Sequence, residues 1–497
     1  MQIERYSRRN GRMLEKLKMI YNIYDLMALC CSYIFNELEH KQYNFGEFEE
    51  KEYNEVEEAI LVYLDDVEDR GKQYAFRQLH KFVYNYLMKE ISIQRCYAFV
   101  FFIDENVETE IPRESLLGGS GIVEYSTLNE QCKDRVRIIP KIEKTLINNI
   151  DRKIEKIDTS DEIKSVFRKR RECACSRIDE ETKRYSVWNK EYVEKFSVKI
   201  CHIDDRSDIY RRFYNKKKIF FGIIPFTNRN IELILDIKYK KKLFYVESMK
   251  KDAEKILKDR YLDIIERCKG RNIDFLIFPE MLLTEKIIEN LKSSGNTESS
   301  DPKIIVNGSV WKDKHNTSVV TDCNGNLILE YRKKEPFELN KDGKTYKEEL
   351  DRSDEKKFSI IEIEGIGRIG ICICRDLINE SVKLFHKCIG TNILLVPAFS
   401  GSMDLKSSAS ELAADYHCIV VIANACSALD KGKDKIGFIT SPGKMETDRT
   451  NIVKMYLKNK CEEECEKRCR GKIVSIDFDK LDVKDGIHSF AIEEIDL

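Results

Sequence analysis

As far as about Glu90 the chain alternates charged stretches with apolar residues three and four apart, and no proline occurs before Pro112, a pattern that predicts amphipathic helices. Val56, Ile60, Tyr63, Leu64 and Val67 keep that spacing. The run Cys96 to Ile103 is apolar, aromatic and β-branched and predicts a buried strand, after which Ile138 to Ile157 returns to a helical pattern. From about Phe196 the grammar changes. Strands are predicted at Ile219–Phe226, Ile273–Phe278, Lys303–Asn307, Ser318–Thr321, Leu327–Tyr331, Phe358–Ile363, Arg368–Ile373, Asn392–Val396, Ile419–Ala423 and Lys472–Phe478, interleaved with helices such as Val246–Cys268 and Leu377–Phe385. Strand-helix alternation of this kind predicts an α/β core. A charged insertion with a hairpin-like pattern, Ile231–Leu235 and then the lysine-rich Lys238–Lys242, interrupts it between Thr227 and Tyr245. The domain reading is therefore a mainly α-helical regulatory or interaction module over 1–190 and an α/β domain over 195–497.

Composition narrows the class. A chain of 497 residues has room for two or three domains, and 86 basic against 87 acidic residues create no global field for nucleic acid or an anionic membrane. The 17 cysteines are scattered rather than framed at disulfide spacings, and no apolar signal region precedes them, which predicts a reduced, cytoplasmic protein. The apolar stretch Leu26–Phe35 falls well below the ~18 residues that a membrane helix needs.

Several local motifs carry little. Tyr63-Leu64-Asp65-Asp66 spells a magnesium-binding signature of reverse transcriptases, but it lies on helical spacing with only about sixty residues before it, so coincidence is the expectation. The glycine cluster Gly118-Gly119-Ser120-Gly121 lacks the Lys-Ser/Thr of a phosphate cradle and predicts a turn. Phe167 to Arg171 is a short basic run, expected to be a solvated face, and Cys173 and Cys175 have no second pair at zinc spacing. Cys461, Cys465 and Cys469 recur every four residues, but their spacing matches no common zinc or iron-sulfur motif, so a surface or interface helix without metal is expected.

The chemistry gathers at strand ends. Gly370-Ile371-Cys372-Ile373-Cys374-Arg375-Asp376-Leu377 is a buried strand that stops at a thiol, with a helix beginning just after it, a position where helix N-H groups favour thiolate. Phe278-Pro279-Glu280 places a carboxylate at the end of another buried strand, where desolvation fits it for proton transfer. Tyr331-Arg332-Lys333-Lys334 places an ammonium at a third. Thiol, base and cation are what acyl transfer through a thioester requires.

These motifs resemble the nitrilase, or carbon-nitrogen hydrolase, superfamily. The resemblance is carried by Phe278-Pro279-Glu280, by Asn316 to Lys333, and by Ile373-Cys374-Arg375-Asp376. Val306-Asn307-Gly308-Ser309, Val396-Pro397-Ala398-Phe399, Glu411 to Asn424 and Gly437 to Gly443 follow in matching order. It implies a four-layer α-β-β-α sandwich, no cofactor or metal, and amide or nitrile substrates taken through a cysteine acyl-enzyme. It implies Cys374 as nucleophile in preference to Cys372, Glu280 as general base and Lys333 in the oxyanion role, with Lys334 as fallback. It also implies a second glutamate beside the lysine: Glu348 aligns best, with Glu338 and Glu349 as alternatives. A homo-oligomer and a protein partner for the helical module are further expectations. The other reading is an oligomeric scaffold, or a bacterial defence-system component, in which the nitrilase-like domain serves assembly. Lys334-Glu335-Pro336-Phe337 departs from the His-Leu usual after the family's lysine and alters the pocket rim.

Overall fold

The protein is described by a computed structural model over residues 11–38, 50–107, 122–129, 133, 135–141, 184–293, 301–401, 405–429, 435–445, 450–458, 469, 471–484 and 487–497. These fall into two compact units, one built from 11–107, 125–141 and 184–197, the other from 122–124 and 198–497.

The first unit is mainly helical, with α-helices Ile23–Leu38, Glu50–Arg70, Lys72–Lys89 and Ile93–Asn106. Tyr63 to Asp66 lies inside the second of these, with Tyr63 buried against the unit's core. The segment expected as a buried strand, Cys96 to Ile103, is instead helical. Ser92 caps it by accepting the Arg95 N–H at 3.2 Å, and Cys96, Tyr97, Phe99, Val100, Phe102 and Ile103 are all buried. A helix surrounded by its neighbours is apolar on every side, so periodicity cannot separate it from a central strand. The expected helix from Ile138 also begins as a strand: Arg137–Pro140 pairs antiparallel with Tyr185–Trp188. Residues 142–157, the glycine cluster, the basic run with Cys173 and Cys175, and Cys461 and Cys465 lie outside the described residues.

The second unit is α/β, as expected. Lys218–Ile223, Phe275–Ile277 and Ile304–Val306 run parallel, and His315–Asp322 joins the last of them antiparallel. In a second series Lys357–Ile363 pairs antiparallel with Gly367–Ile371, which runs parallel to Ile393–Ala398 and then Ile419–Asn424. Lys435–Met445, Ile487–Asp496 and Lys472–Lys484 link the two series by antiparallel pairing, back to Lys218–Ile223. The central strands are buried along nearly their whole length, which is why they read as continuous apolar runs. The expected long helix begins later than its sequence pattern. Leu243–Met249 is a strand paired with Leu235–Lys240, and the helix spans Lys251–Cys268. That hairpin, the charged insertion of the sequence, pairs parallel with Lys344–Glu348 in a separate four-stranded sheet completed by Glu338–Lys341.

No disulfide is formed among the described cysteines. No described helix is long and apolar enough to cross a membrane. No group of metal-ligating side chains gathers among the described residues.

Candidate active site

The strand Gly367–Ile371 ends at the thiol. After it the chain enters a 3-10 turn, Cys374–Ile378, and then the helix Glu380–Ile389, whose first N–H groups are capped by the Asn379 side chain. Cys374 itself sits at φ 49°, in the left-handed region that a side-chain-bearing residue enters only when its surroundings impose it. Asp376 supplies much of that imposition. Its carboxylate accepts the N–H of Ile373 at 3.2 Å, and across the site it accepts the N–H groups of Lys334 at 2.8 Å and Glu335 at 2.7 Å. Cys374 Sγ lies 3.9 Å from the Phe399 carbonyl, with Glu280 among the charged groups that act on it. The neighbouring Ser400 is held by Asn424, which accepts its N–H at 2.8 Å and donates to its carbonyl at 2.9 Å.

Glu280 follows the three-residue strand Phe275–Ile277 and is 1% exposed. Its loop is held from the next strand end. Met281, at φ 66°, donates its N–H to Ser309 Oγ at 2.9 Å, and Gly308, at φ 50°, lies so close that an added Cβ would stand 1.9 Å from the Pro279 carbonyl oxygen. Only glycine fits there.

Lys333 extends the hairpin of His315–Asp322 with Leu327–Arg332, donating its N–H to the Asn316 carbonyl at 2.8 Å. Its ammonium stands between two carboxylates, 2.6 Å from Glu280 Oε1 and 2.7 Å from Glu348 Oε2, with all three side chains buried. Asn316 Nδ2 donates to the same pair, at 2.8 Å to Glu280 and 3.0 Å to Glu348. Glu348 also accepts the Phe337 N–H at 2.8 Å.

The electrostatics follow from burial and pairing. Burial lifts the Glu280 carboxyl above the ordinary carboxylate range, against the attraction of Lys333 and with added repulsion from Glu348. For Lys333 burial works the other way, but Glu280 and Glu348 outweigh it and hold the ammonium charged, well above its usual range. Burial, reinforced by the adjacent Glu280, pushes the Cys374 thiol up despite Lys333. The resting thiol is thus protonated, with the Glu280 carboxylate acting on it. Burial also brings Asp376 to about 6 and Lys334 down to about 8.

The structure gathers Cys374, Glu280, Lys333 and Glu348 in one place. Lys334 is elsewhere: its Nζ donates to the Asp354 carbonyl at 2.8 Å and lies over the Tyr331 and Phe358 rings. Glu338 is exposed at the start of its strand, and Glu349 pairs with Lys314 at 2.8 Å. Cys372 is buried, with its N–H on the Leu395 carbonyl at 3.3 Å. Cys469 is buried and its carbonyl accepts from Arg267 at 2.9 Å. The sequence reading missed Asn316 as the bridge between the glutamates, and Ser309 and Gly308 as the clamp on the Glu280 loop. An asparagine opening the strand that pairs beside Lys333 was the available signal for the first.

No family model matches the sequence, and no curated protein matches it. About half of the chain is similar to solved structures of the nitrilase superfamily. Nit3 from Saccharomyces cerevisiae, a member of branch 10 of that superfamily, is 16% identical over 49% of this chain and 91% of its own, with a TM-score of 0.31. The amidase from Nesterenkonia sp. AN1, in a variant with the acetamide moiety of fluoroacetamide covalently added at its active-site cysteine, is 12% identical over 48% and 90%, with a TM-score of 0.29. A glutamine-dependent NAD+ synthetase from Acinetobacter baumannii is 14% identical over 55% of this chain, with a TM-score of 0.34; the match spans 48% of that protein.

Proposed function

We propose that the second unit is a carbon-nitrogen hydrolase of nitrilase type, a four-layer α-β-β-α sandwich that cleaves amides or nitriles through a cysteine acyl-enzyme. The observation that carries this reading is the buried ammonium of Lys333 between Glu280 and Glu348, with the Glu280 carboxylate close enough to the Cys374 thiol to raise it. On an amide, Cys374 Sγ attacks the carbonyl carbon while Glu280 takes the thiol proton. The oxygen that becomes negative is met by Lys333 Nζ and by the Arg375 N–H at the start of the 3-10 turn, a donor that a helix start leaves unfilled. Glu280 returns the proton to the leaving nitrogen, which departs as ammonia and leaves a thioester. Water then gives a proton to Glu280 as it adds to the thioester carbon. Collapse of that adduct releases the acid, and the proton goes back to Cys374. Glu348 keeps Lys333 charged and in place throughout, since a buried ammonium with a single carboxylate would be free to swing toward it.

The test is mass spectrometry of the Cys374 peptide during incubation with a panel of short amides and nitriles, together with an ammonia-release assay. An acyl adduct on Cys374 is expected, with ammonia release lost in Cys374→Ala, Glu280→Gln and Lys333→Ala. Ammonia release that survives all three substitutions would overturn the proposal, as would the absence of both adduct and release across the panel.

A further inference from the structure

The two carboxylates about Lys333 are held differently. Glu348 has both oxygens filled: Oε1 accepts Asn316 Nδ2 at 3.0 Å, and Oε2 accepts Lys333 Nζ at 2.7 Å and the Phe337 N–H at 2.8 Å. Glu280 has two donors, and both fall on one atom. Lys333 Nζ at 2.6 Å and Asn316 Nδ2 at 2.8 Å share Oε1, and among the described residues no N–H reaches Oε2. Asn316 is fixed by the backbone on both flanks: its carbonyl accepts the Lys333 N–H at 2.8 Å, and it lies opposite Trp311 in the antiparallel pairing. Its side chain is fully buried. The amide can face only one way, since the flipped form would set Oδ1 against two carboxylates. Both amide protons are then used, one on each glutamate, while Oδ1 is buried without a hydrogen-bond partner among the described residues. An unmatched buried acceptor costs stability, so packing of the hairpin alone does not account for an asparagine here.

We propose that Asn316 is a positioning residue: by filling Oε1 together with Lys333 it reserves Glu280 Oε2 as the atom that takes the Cys374 proton, and by donating to the ionised carboxylate it sets the pH above which that transfer runs. The proposal deepens the hydrolase reading and rests on it for the reaction that the transfer serves. The titratable and charged groups that act on Glu280 are Lys333 at the end of the hairpin, Glu348 at the end of its own strand, and Cys374 at the start of the 3-10 turn. Burial lifts the Glu280 carboxyl, Lys333 lowers it and Glu348 lifts it again. A donor that favours the ionised form opposes burial, so losing the Asn316 N–H leaves Glu280 able to accept a proton only at higher pH.

The probe is iodoacetamide, with alkylation of Cys374 followed by mass spectrometry of its peptide across a pH series. In this reaction the sulfur displaces iodide, a C–S bond replaces the C–I bond and the thiol proton passes to Glu280, with no hydrolytic step. The rate is expected to rise along an acid limb that Glu280→Gln removes. Asn316→Asp, of the same shape, exchanges the N–H donor for a further acceptor and is expected to move that limb up by about one pH unit, a loss of about tenfold in rate below it. Asn316→Leu has no polar atom at that place and is expected to move the limb in the same direction; it decides the question if the aspartate variant fails to fold. A role in packing alone would lower the urea midpoints of both variants and leave the limb where it is. That result overturns the proposal, as does a Cys374 thiol that is not alkylated at any pH, or a limb that survives Glu280→Gln. The ammonia-release assay keeps the two readings apart: a limb that moves as stated, without turnover of any amide or nitrile, leaves the positioning of Glu280 standing and sinks the hydrolase reading alone.

Discussion

Asp376 Oδ1 accepts the backbone N–H of Lys334 at 2.8 Å, so the turn that aims Cys374 and the strand end that carries Lys333 are one hydrogen-bonded unit. The same oxygen takes the Glu335 N–H, and both donors are lost to any side chain that cannot accept. Asp376→Ala removes the acceptor of three N–H groups, those of Lys334, Glu335 and Ile373, at about 1–3 kcal/mol each. It is expected to lower kcat by at least ~100-fold, with partial recovery in Asp376→Asn, whose oxygen still accepts; urea unfolding and steady-state kinetics measure the two effects. The titration adds a pH signature. Burial raises this carboxyl from 3.8 to about 6, so its ionised form is disfavoured in the folded state. Its contribution to stability is therefore greatest below about 4 and declines as pH rises to about 6, by roughly 3 kcal/mol in total. Asp376→Asn should flatten that slope in unfolding free energies measured between pH 4 and 7.

The two carboxylates about Lys333 make the order of damage predictable. Lys333→Met leaves Glu280 and Glu348 facing each other, buried, with only Asn316 between them. A loss of about 3–5 kcal/mol is expected, whereas Glu348→Gln keeps one ion pair and costs less. Removing both charges in the double variant should be less destabilising than the sum of the single changes. A chemical denaturation cycle of the four proteins reads this directly, and strict additivity would contradict it.

Much of this candidate site was legible because Glu280 and Cys374 follow buried parallel strands, where apolar runs stop abruptly at a polar residue. Lys333 follows a half-exposed antiparallel hairpin strand, and its place was read from the motif around it. What was not legible came from contacts between segments distant in sequence. The second glutamate could be narrowed to Glu338, Glu348 and Glu349 but not chosen, since the choice depends on how the Lys344–Glu348 strand pairs. The charged insertion gave no sign that it would become that strand's partner. In the helical unit the failure had a different cause: Cys96 to Ile103 is buried on all sides, and full burial removes the amphipathic signal on which the helix assignment depends.

The insertion reaches the candidate site through Phe244. It lies opposite Glu348 in the parallel pairing, accepts the Glu349 N–H on its carbonyl at 2.8 Å, and packs edge-on against Phe337, whose own N–H donates to Glu348. Phe244→Ala is expected to cost about 3–5 kcal/mol and to depress kcat more than KM, because it loosens Glu348 rather than the substrate. Phe244→Leu should restore most of both.

Gly308 supports the Glu280 loop in a similar way. An alanine there would drive its Cβ against the Pro279 carbonyl, 1.9 Å away, from a φ of 50°. The loop carrying Glu280 must move to relieve the clash. Gly308→Ala is therefore expected to lower kcat by ~100-fold or more while the protein stays folded, since a displacement of about 1 Å at a reacting group suffices for that loss. Unchanged kinetics would mean that the Glu280 loop is not clamped by this contact.

Cys374 combines its proposed chemical role with a backbone cost that substitution can separate. At φ 49° any residue with a Cβ is held in a sparsely populated region, at roughly 1–3 kcal/mol, and glycine is not. If the thiol contributed chiefly as a small buried apolar group, Cys374→Ala would be the milder change and Cys374→Gly the worse. The geometry predicts the reverse order: both variants inactive, with Cys374→Gly at least as stable as Cys374→Ala by about 0.5–1 kcal/mol, despite its greater entropy when unfolded. Removing the thiol also removes its interaction with Glu280, which is the same in both variants and cancels from the comparison. Urea midpoints of the two variants at constant slope test the claim, and a more stable alanine variant would show that the strand-to-helix turn carries no strain at its nucleophile.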